Sequence, residues 1–182
     1  MTPRDITEPR SFRRKQAIVV ALSLAAALVV ACVGASAATL FATLVPTADD
    51  LPTRLAFAAR CLVAPGLMLL AGIANVGRRG FHADAIDGTR TPANHGLEIG
   101  LRYNLNTLEQ CVLVLIAWPA LAASVSHVQL AYLPALACLF VAGRVTFWVG
   151  YLLVPTGRAF GMTMTVLPTV IAYGWLVARW LG

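Results

Sequence analysis

A chain of 182 residues that is 59% hydrophobic and only 12% charged is too apolar for a soluble domain and falls with membrane proteins. The net charge of +6 does not point to nucleic acid. Thirteen of the fourteen basic residues are Arg, and most stand at the ends of apolar runs, where charge sets membrane topology.

Residues 1–16 are polar and basic, with Arg4, Arg10, Arg13, Arg14 and Lys15 against Asp5 and Glu8. They read as a disordered cytoplasmic tail. The first apolar run, 17–45, exceeds the ~20 residues needed to span a bilayer, which predicts a tilt or a bend near Gly34. Ala35-Ser36-Ala37 has the A-x-A form of a signal-peptidase site. The apolar run continues past it, which favours an uncleaved helix.

Pro46 to Thr53 is a polar turn with two prolines. The second helix is expected over about 55–76, with Arg60 near its start and a possible kink at Pro65. Gly77-Arg78-Arg79-Gly80 ends it. A long polar loop follows, holding His82, Asp84, Asp87 and Arg90. Thr91-Pro92 has the form of an N-cap and first helical residue for a third helix over about 93–124. Ser126-His127-Val128-Gln129 is a turn. The fourth helix is expected over about 130–153, Val154 to Gly157 breaks it, and the fifth covers about 158–181. The fold class is all-α: an integral membrane bundle with a domain at 54–182 and one additional N-terminal span. The Lys and Arg bias puts the tail and the 77–96 loop on the cytoplasmic side.

The four cysteines, Cys32, Cys61, Cys111 and Cys138, lie within apolar runs, without CxxC spacing or nearby His partners. They read as small buried apolar residues, and no metal site is expected. His82, His95 and His127 read as scattered loop residues.

One stripe stands out. Glu98, Arg102, Asn106 and Glu109 are spaced 4, 4 and 3 residues apart, which puts them on one face of the third helix. Ionisable groups at membrane depth are costly against lipid, so they should face a bundle interior or a wet cavity. The fourth helix carries Arg144, Phe147, Gly150 and Tyr151. Arg158 follows Arg144 by fourteen residues, close to four helical turns, which returns it to the level of the stripe. The pattern predicts a pocket rimmed by Arg78, Arg79 and Arg158 and floored by Arg102, Asn106 and Glu109. Guanidinium groups bind carboxylates bidentately, and a carboxylate can hold an ammonium. A small polar anionic ligand suits such a pocket.

The run Arg102-Tyr-Asn-Leu-Asn106-Thr-Leu-Glu109 resembles the Arg-x-x-x-Asn-x-x-Glu signature of the MAPEG proteins, membrane-associated proteins in eicosanoid and glutathione metabolism. Glu98 one turn earlier, the Arg78-Arg79 pair, the stretch Arg144-Val-Thr-Phe-Trp-Val-Gly-Tyr151 and the downstream Arg158 are similar to further parts of that family. The resemblance covers about 55–181, in a bacterial-type member with an extra N-terminal helix. It implies a homotrimer in a bacterial inner membrane, with glutathione as cosubstrate between neighbouring subunits. It also implies that Arg158 stabilises the thiolate, that Arg102, Asn106, Glu109 and Tyr151 hold the peptide, and that Arg78, Arg79, Glu98 and Arg144 complete the binding set. Lipophilic electrophiles would enter from the bilayer. Two positions differ: Phe147 stands where glutathione-using members often have Tyr, and Gln110 follows the motif Glu where the eicosanoid enzymes commonly have Tyr.

Two function classes follow. One is a glutathione-dependent membrane transferase or peroxidase. The other is a non-catalytic MAPEG-like membrane protein that binds a lipid or small molecule, with the stripe and Arg144 locking helix register. A transporter fits less well, because no broken helices occupy corresponding halves of the chain.

Overall fold

The computed structural model describes residues 10–83, 86–87 and 94–182. It contains five α-helices: α1 (Arg10–Leu40), α2 (Leu51–Gly77), α3 (His95–Ser124), α4 (Tyr132–Leu153) and α5 (Arg158–Leu181). Each is long and apolar enough to cross a membrane, and no strand occurs among the described residues. The chain is an all-α integral membrane bundle.

The helix ends differ from the sequence reading where polar chemistry, not apolarity, sets them. Arg10 to Gln16 is helical, since Arg, Lys and Gln are good helix formers and simply carry α1 out of the apolar zone. Residues 1–9, including Arg4, Asp5 and Glu8, lie outside the described residues. α1 runs unbroken through Gly34 and Ala35-Ser36-Ala37, then stops at Leu40, five residues before the expected Val45. Pro46 forces the preceding residue out of helical geometry, and Val45 is extended at φ −69°, ψ 129°. α2 begins at Leu51 rather than 55, because Asp50 caps it: its Oδ1 accepts from the Thr53 backbone N–H at 2.9 Å. α3 is capped by Asn94, whose Oδ1 accepts from the Leu97 backbone N–H at 3.2 Å. The expected cap at Thr91-Pro92 lies outside the described residues. Pro65, Pro119 and Pro168 all sit inside helices.

The main core joins α2, α3, α4 and α5 through Phe57, Val114, Trp118, Leu133, Phe140 and Leu176. Between α4 and α5 the backbones touch. A methyl on Gly161 would overlap the backbone of Gly143 and Phe147, and one on Gly157 would overlap Gly150. This contact brings Thr165 of α5 to Arg144 of α4. Gly72 of α2 lies under the side chains of Asn104 and Tyr103 of α3. α1 packs chiefly on α5 and less on α4.

At the end of the bundle where α3 stops, Arg54 of α2 acts as a clamp. Its Nη1 donates to the carbonyls of Ala122 and Val125 at 3.0 and 2.7 Å, closing orphan acceptors of the α3 C-terminus. Its Nε donates to Asp49 Oδ1 at 2.7 Å, and His127 Nδ1 lies 2.9 Å from the same oxygen. His127, a scattered loop residue by sequence, thus belongs to a three-residue cluster. The cysteines are free, and Cys32 and Cys138 are exposed rather than buried as expected. On a membrane helix a small apolar thiol sits as easily against lipid as inside.

Candidate functional site

The polar stripe occupies one face of α3, and that face points outward. The opposite face, with Ile99, Tyr103, Thr107, Gln110, Val114 and Trp118, fills the interior of the bundle. Arg102 and Glu109 are exposed, while Glu98 and Asn106 are half-buried. The chain's own interior therefore does not take the stripe. Periodicity fixes which residues share a face but not which face turns inward.

The stripe is internally organised. Arg102 is bidentate to Glu98 Oε1, from Nη2 at 2.8 Å and Nε at 3.2 Å. Asn106 Nδ2 donates to Glu109 Oε2 at 3.4 Å. His95 Nδ1 lies 3.8 Å from Glu98 Oε2. Arg102 lies near the Tyr151 phenol of α4. The Arg158 guanidinium stands over the Tyr151 ring at 4.8 Å, within cation–π range. The fold therefore gathers Glu98, Arg102, Tyr151 and Arg158 at the end of the bundle where α3 starts, α4 ends and α5 begins.

Arg144 behaves differently. It is fully buried. Its Nη1 donates to Asn106 Oδ1 at 2.7 Å, and its Nη2 donates to Thr165 Oγ1. Phe147 and Phe140 present their faces at 4.8 and 5.8 Å. Its Nε has no hydrogen-bond partner among the described residues. Arg144 therefore supports Asn106 from behind instead of reaching solvent. Because the Arg144 donor takes the Asn106 carbonyl oxygen, the Asn106 amide nitrogen is turned outward toward Glu109. Phe147 is buried between Arg144, Tyr103 and Tyr151. Gln110 is also buried, and its Oε1 has no hydrogen-bond partner among the described residues.

Arg78 lies elsewhere. It lines a cavity of about 170 Å³ with Asn75, His82, Asn94 and Trp148, on the side of α4 that carries Trp148 and Leu152. Arg79 Nη2 donates to the Asp87 carbonyl at 3.3 Å. Asp84 and Arg90 lie outside the described residues. The position of Asn106 against Arg144 had a sequence signal, since a buried Arg on an apolar helix needs a polar partner. The Arg54–Asp49–His127 cluster had none, because its members are up to 78 residues apart.

Five helices long and apolar enough to cross a membrane, one of them with a charged stripe on its outward face, define an integral membrane helical bundle. The model of the MAPEG family matches residues 55–178, and the chain belongs to the MAPEG family. The match covers α2 through most of α5 and leaves α1 outside. No curated protein and no solved structure matches the chain.

Proposed function

We propose that the chain is an integral membrane glutathione-dependent transferase or peroxidase acting on lipophilic electrophiles. The observation that carries this reading is the convergence of Arg102, Tyr151 and Arg158 beside the stripe, in a member of a glutathione-related family. The residues suit the ligand. Glutathione carries two carboxylates, an ammonium and two amides. The site offers two exposed guanidinium groups, Arg102 and Arg158, the carboxylates Glu98 and Glu109, and the outward-turned amide of Asn106. Glutathione supplies the nucleophilic thiol. Arg158 favours its thiolate form, because a nearby cation stabilises the anion over the neutral thiol. Arg102 holds a carboxylate. Glu109 holds the ammonium, Glu98 positions Arg102 through its hydrogen bonds, and Arg78 and Arg79, which the family resemblance adds to the set, lie apart from the stripe in this chain.

The outward stripe supports assembly. Exposed Arg102 and Glu109 facing lipid would cost several kcal/mol, and a neighbouring subunit removes that cost. A homotrimer with α3 near its axis fits this requirement and the family. The Lys and Arg bias supports a bacterial inner-membrane orientation with the N-terminus and the 77–96 segment cytoplasmic. Isothermal titration of the purified protein with glutathione tests the reading, together with thiolate absorbance. No heat and no thiolate signal would sink it. The non-catalytic reading would then stand, in which Glu98–Arg102 and Asn106–Arg144 serve only helix register.

A further inference from the structure

At the opposite end of the bundle from the polar stripe, α1 does not close tightly on α4 and α5. It leaves a cavity of about 420 Å³. Val30, Ala31 and Gly34 of α1 form one wall; Leu136 and Leu139 of α4, and Ile171 and Trp175 of α5, form the others. A methyl placed on Gly34 would meet nothing within 4 Å. The polar groups at the margin are Gln129 and Tyr132, and Gln129 Oε1 already accepts from the Ser126 backbone N–H at 2.9 Å. Leu121 of α3, which also lines the cavity, stands twelve residues beyond Glu109, about 18 Å along the helix. The cavity is therefore separate from the stripe. It depends on α1, the helix that lies outside the family match.

Three physical constraints select the occupant. Water needs two to four polar partners to stay in a cavity, and these walls are nearly all hydrocarbon. An empty void forfeits the dispersion contacts of every atom that lines it. A helix is about 10 Å across with a pitch of 5.4 Å, so one turn alone would fill about 420 Å³, too little for a partner helix to dock. What remains is the phase that surrounds a membrane span at this depth. We propose that the cavity between α1, α4 and α5 is a binding site for a single hydrocarbon chain of a membrane lipid. The exposed Tyr132 and Trp175 stand where an acyl tail enters, and aromatic side chains of this kind suit the membrane interface. The site is independent of the glutathione reading.

The test uses the full chain in liposomes that contain a phospholipid with a photoactivatable diazirine on one acyl tail. After irradiation, cross-linked peptides are mapped by mass spectrometry. Labelling is expected at Leu136, Leu139 and Ala172, which line the cavity, above the level at the exposed α2 residues Val63 and Leu67, which report ordinary surrounding lipid. Gly34→Leu should fill the cavity and remove the excess labelling at α4 and α5 while leaving α2 labelling unchanged. Ala31→Phe, from another position on the same wall, gives the same readout if the first variant misfolds. Circular dichroism checks folding of both. Labelling that is no higher at the cavity than at Val63 and Leu67 would overturn the proposal. So would excess labelling that both folded variants leave intact. A second copy of the chain seated in the cavity would show as no cavity labelling in the wild type, which also overturns it.

Discussion

Arg144 Nη1 lies 2.7 Å from Asn106 Oδ1, and this bond ties the stripe of α3 to the interior of α4 and α5. Removing the acceptor strands a buried cation that already has one unpartnered nitrogen. Asn106→Ala is therefore expected to destabilise the bundle by about 1–3 kcal/mol, as for a buried charged group losing its partner. Asn106→Asp should cost less, because a carboxylate still accepts from Arg144. Reversible unfolding in mixed micelles measures both. Equal stability of wild type and Asn106→Ala would refute the role of the bond.

The α4–α5 contact predicts a sharp difference between two glycines. Gly161→Ala places a methyl into the backbone of Gly143 and Phe147 and should cost about 1–3 kcal/mol through overpacking. Gly174→Ala meets nothing within 4 Å and should be neutral or slightly stabilising. The same unfolding assay compares them, and a neutral Gly161→Ala contradicts the observed approach.

Arg158 and Arg102 should separate chemistry from binding. Arg158→Ala is expected to lower turnover of a model electrophile far more than it weakens glutathione binding. Arg102→Ala should mainly weaken binding, by about 1–3 kcal/mol for a charge-assisted hydrogen bond. Steady-state kinetics with titration calorimetry resolves the two. A pure KM effect for Arg158→Ala would remove it from the chemical step.

Two extramembrane carboxyls give a pH prediction. Asp49 is held below the usual carboxylate range by its hydrogen bonds with His127 and then Arg54. Asp50 is held down by the Thr53 backbone N–H and hydroxyl. A carboxyl whose folded pKa is depressed contributes stability above its unfolded pKa, near 3.9. That contribution is lost as pH falls through the lower folded value. Thermal stability in detergent should thus drop on acidification below about pH 4, and Asp49→Asn should flatten that drop. An Asp49→Asn curve parallel to wild type would show that the cluster does not contribute.

The five spans were readable because each is a long apolar run, and the stripe because four polar residues recur at helical spacing. The starts of α2 and α3 were less readable. They depend on single capping side chains, Asp50 and Asn94, that hydropathy does not weigh. The direction of the stripe was not readable at all. In water an amphipathic helix turns its polar face out and its apolar face in, but in lipid both choices leave an apolar face somewhere. Tyr103, Thr107 and Gln110 went inward and Arg102 and Glu109 outward, a choice set by packing against Gly72 and Phe147 rather than by polarity. The family resemblance put Arg144 among the ligand-binding residues. Only the approach of Thr165, which the glycines of α4 and α5 permit, shows why it is buried.

The packing of α1 on α5 also constrains how the chain is made. Of the five spans, α1 leaves the ribosome first and α5 last, with residues 41–157 between them. At about 5–20 residues per second that interval takes roughly 6–24 s. Throughout it, α1 has no α5 to rest against, and α4, its lesser neighbour, is made only towards the end. The composition of α1 fits that wait: its most apolar window has a mean hydropathy of 2.7, against 1.5 to 1.8 for the other four helices, and no charged residue falls between Gln16 and Leu40. α3, α4 and α5 each emerge into a membrane where a packing neighbour is already present.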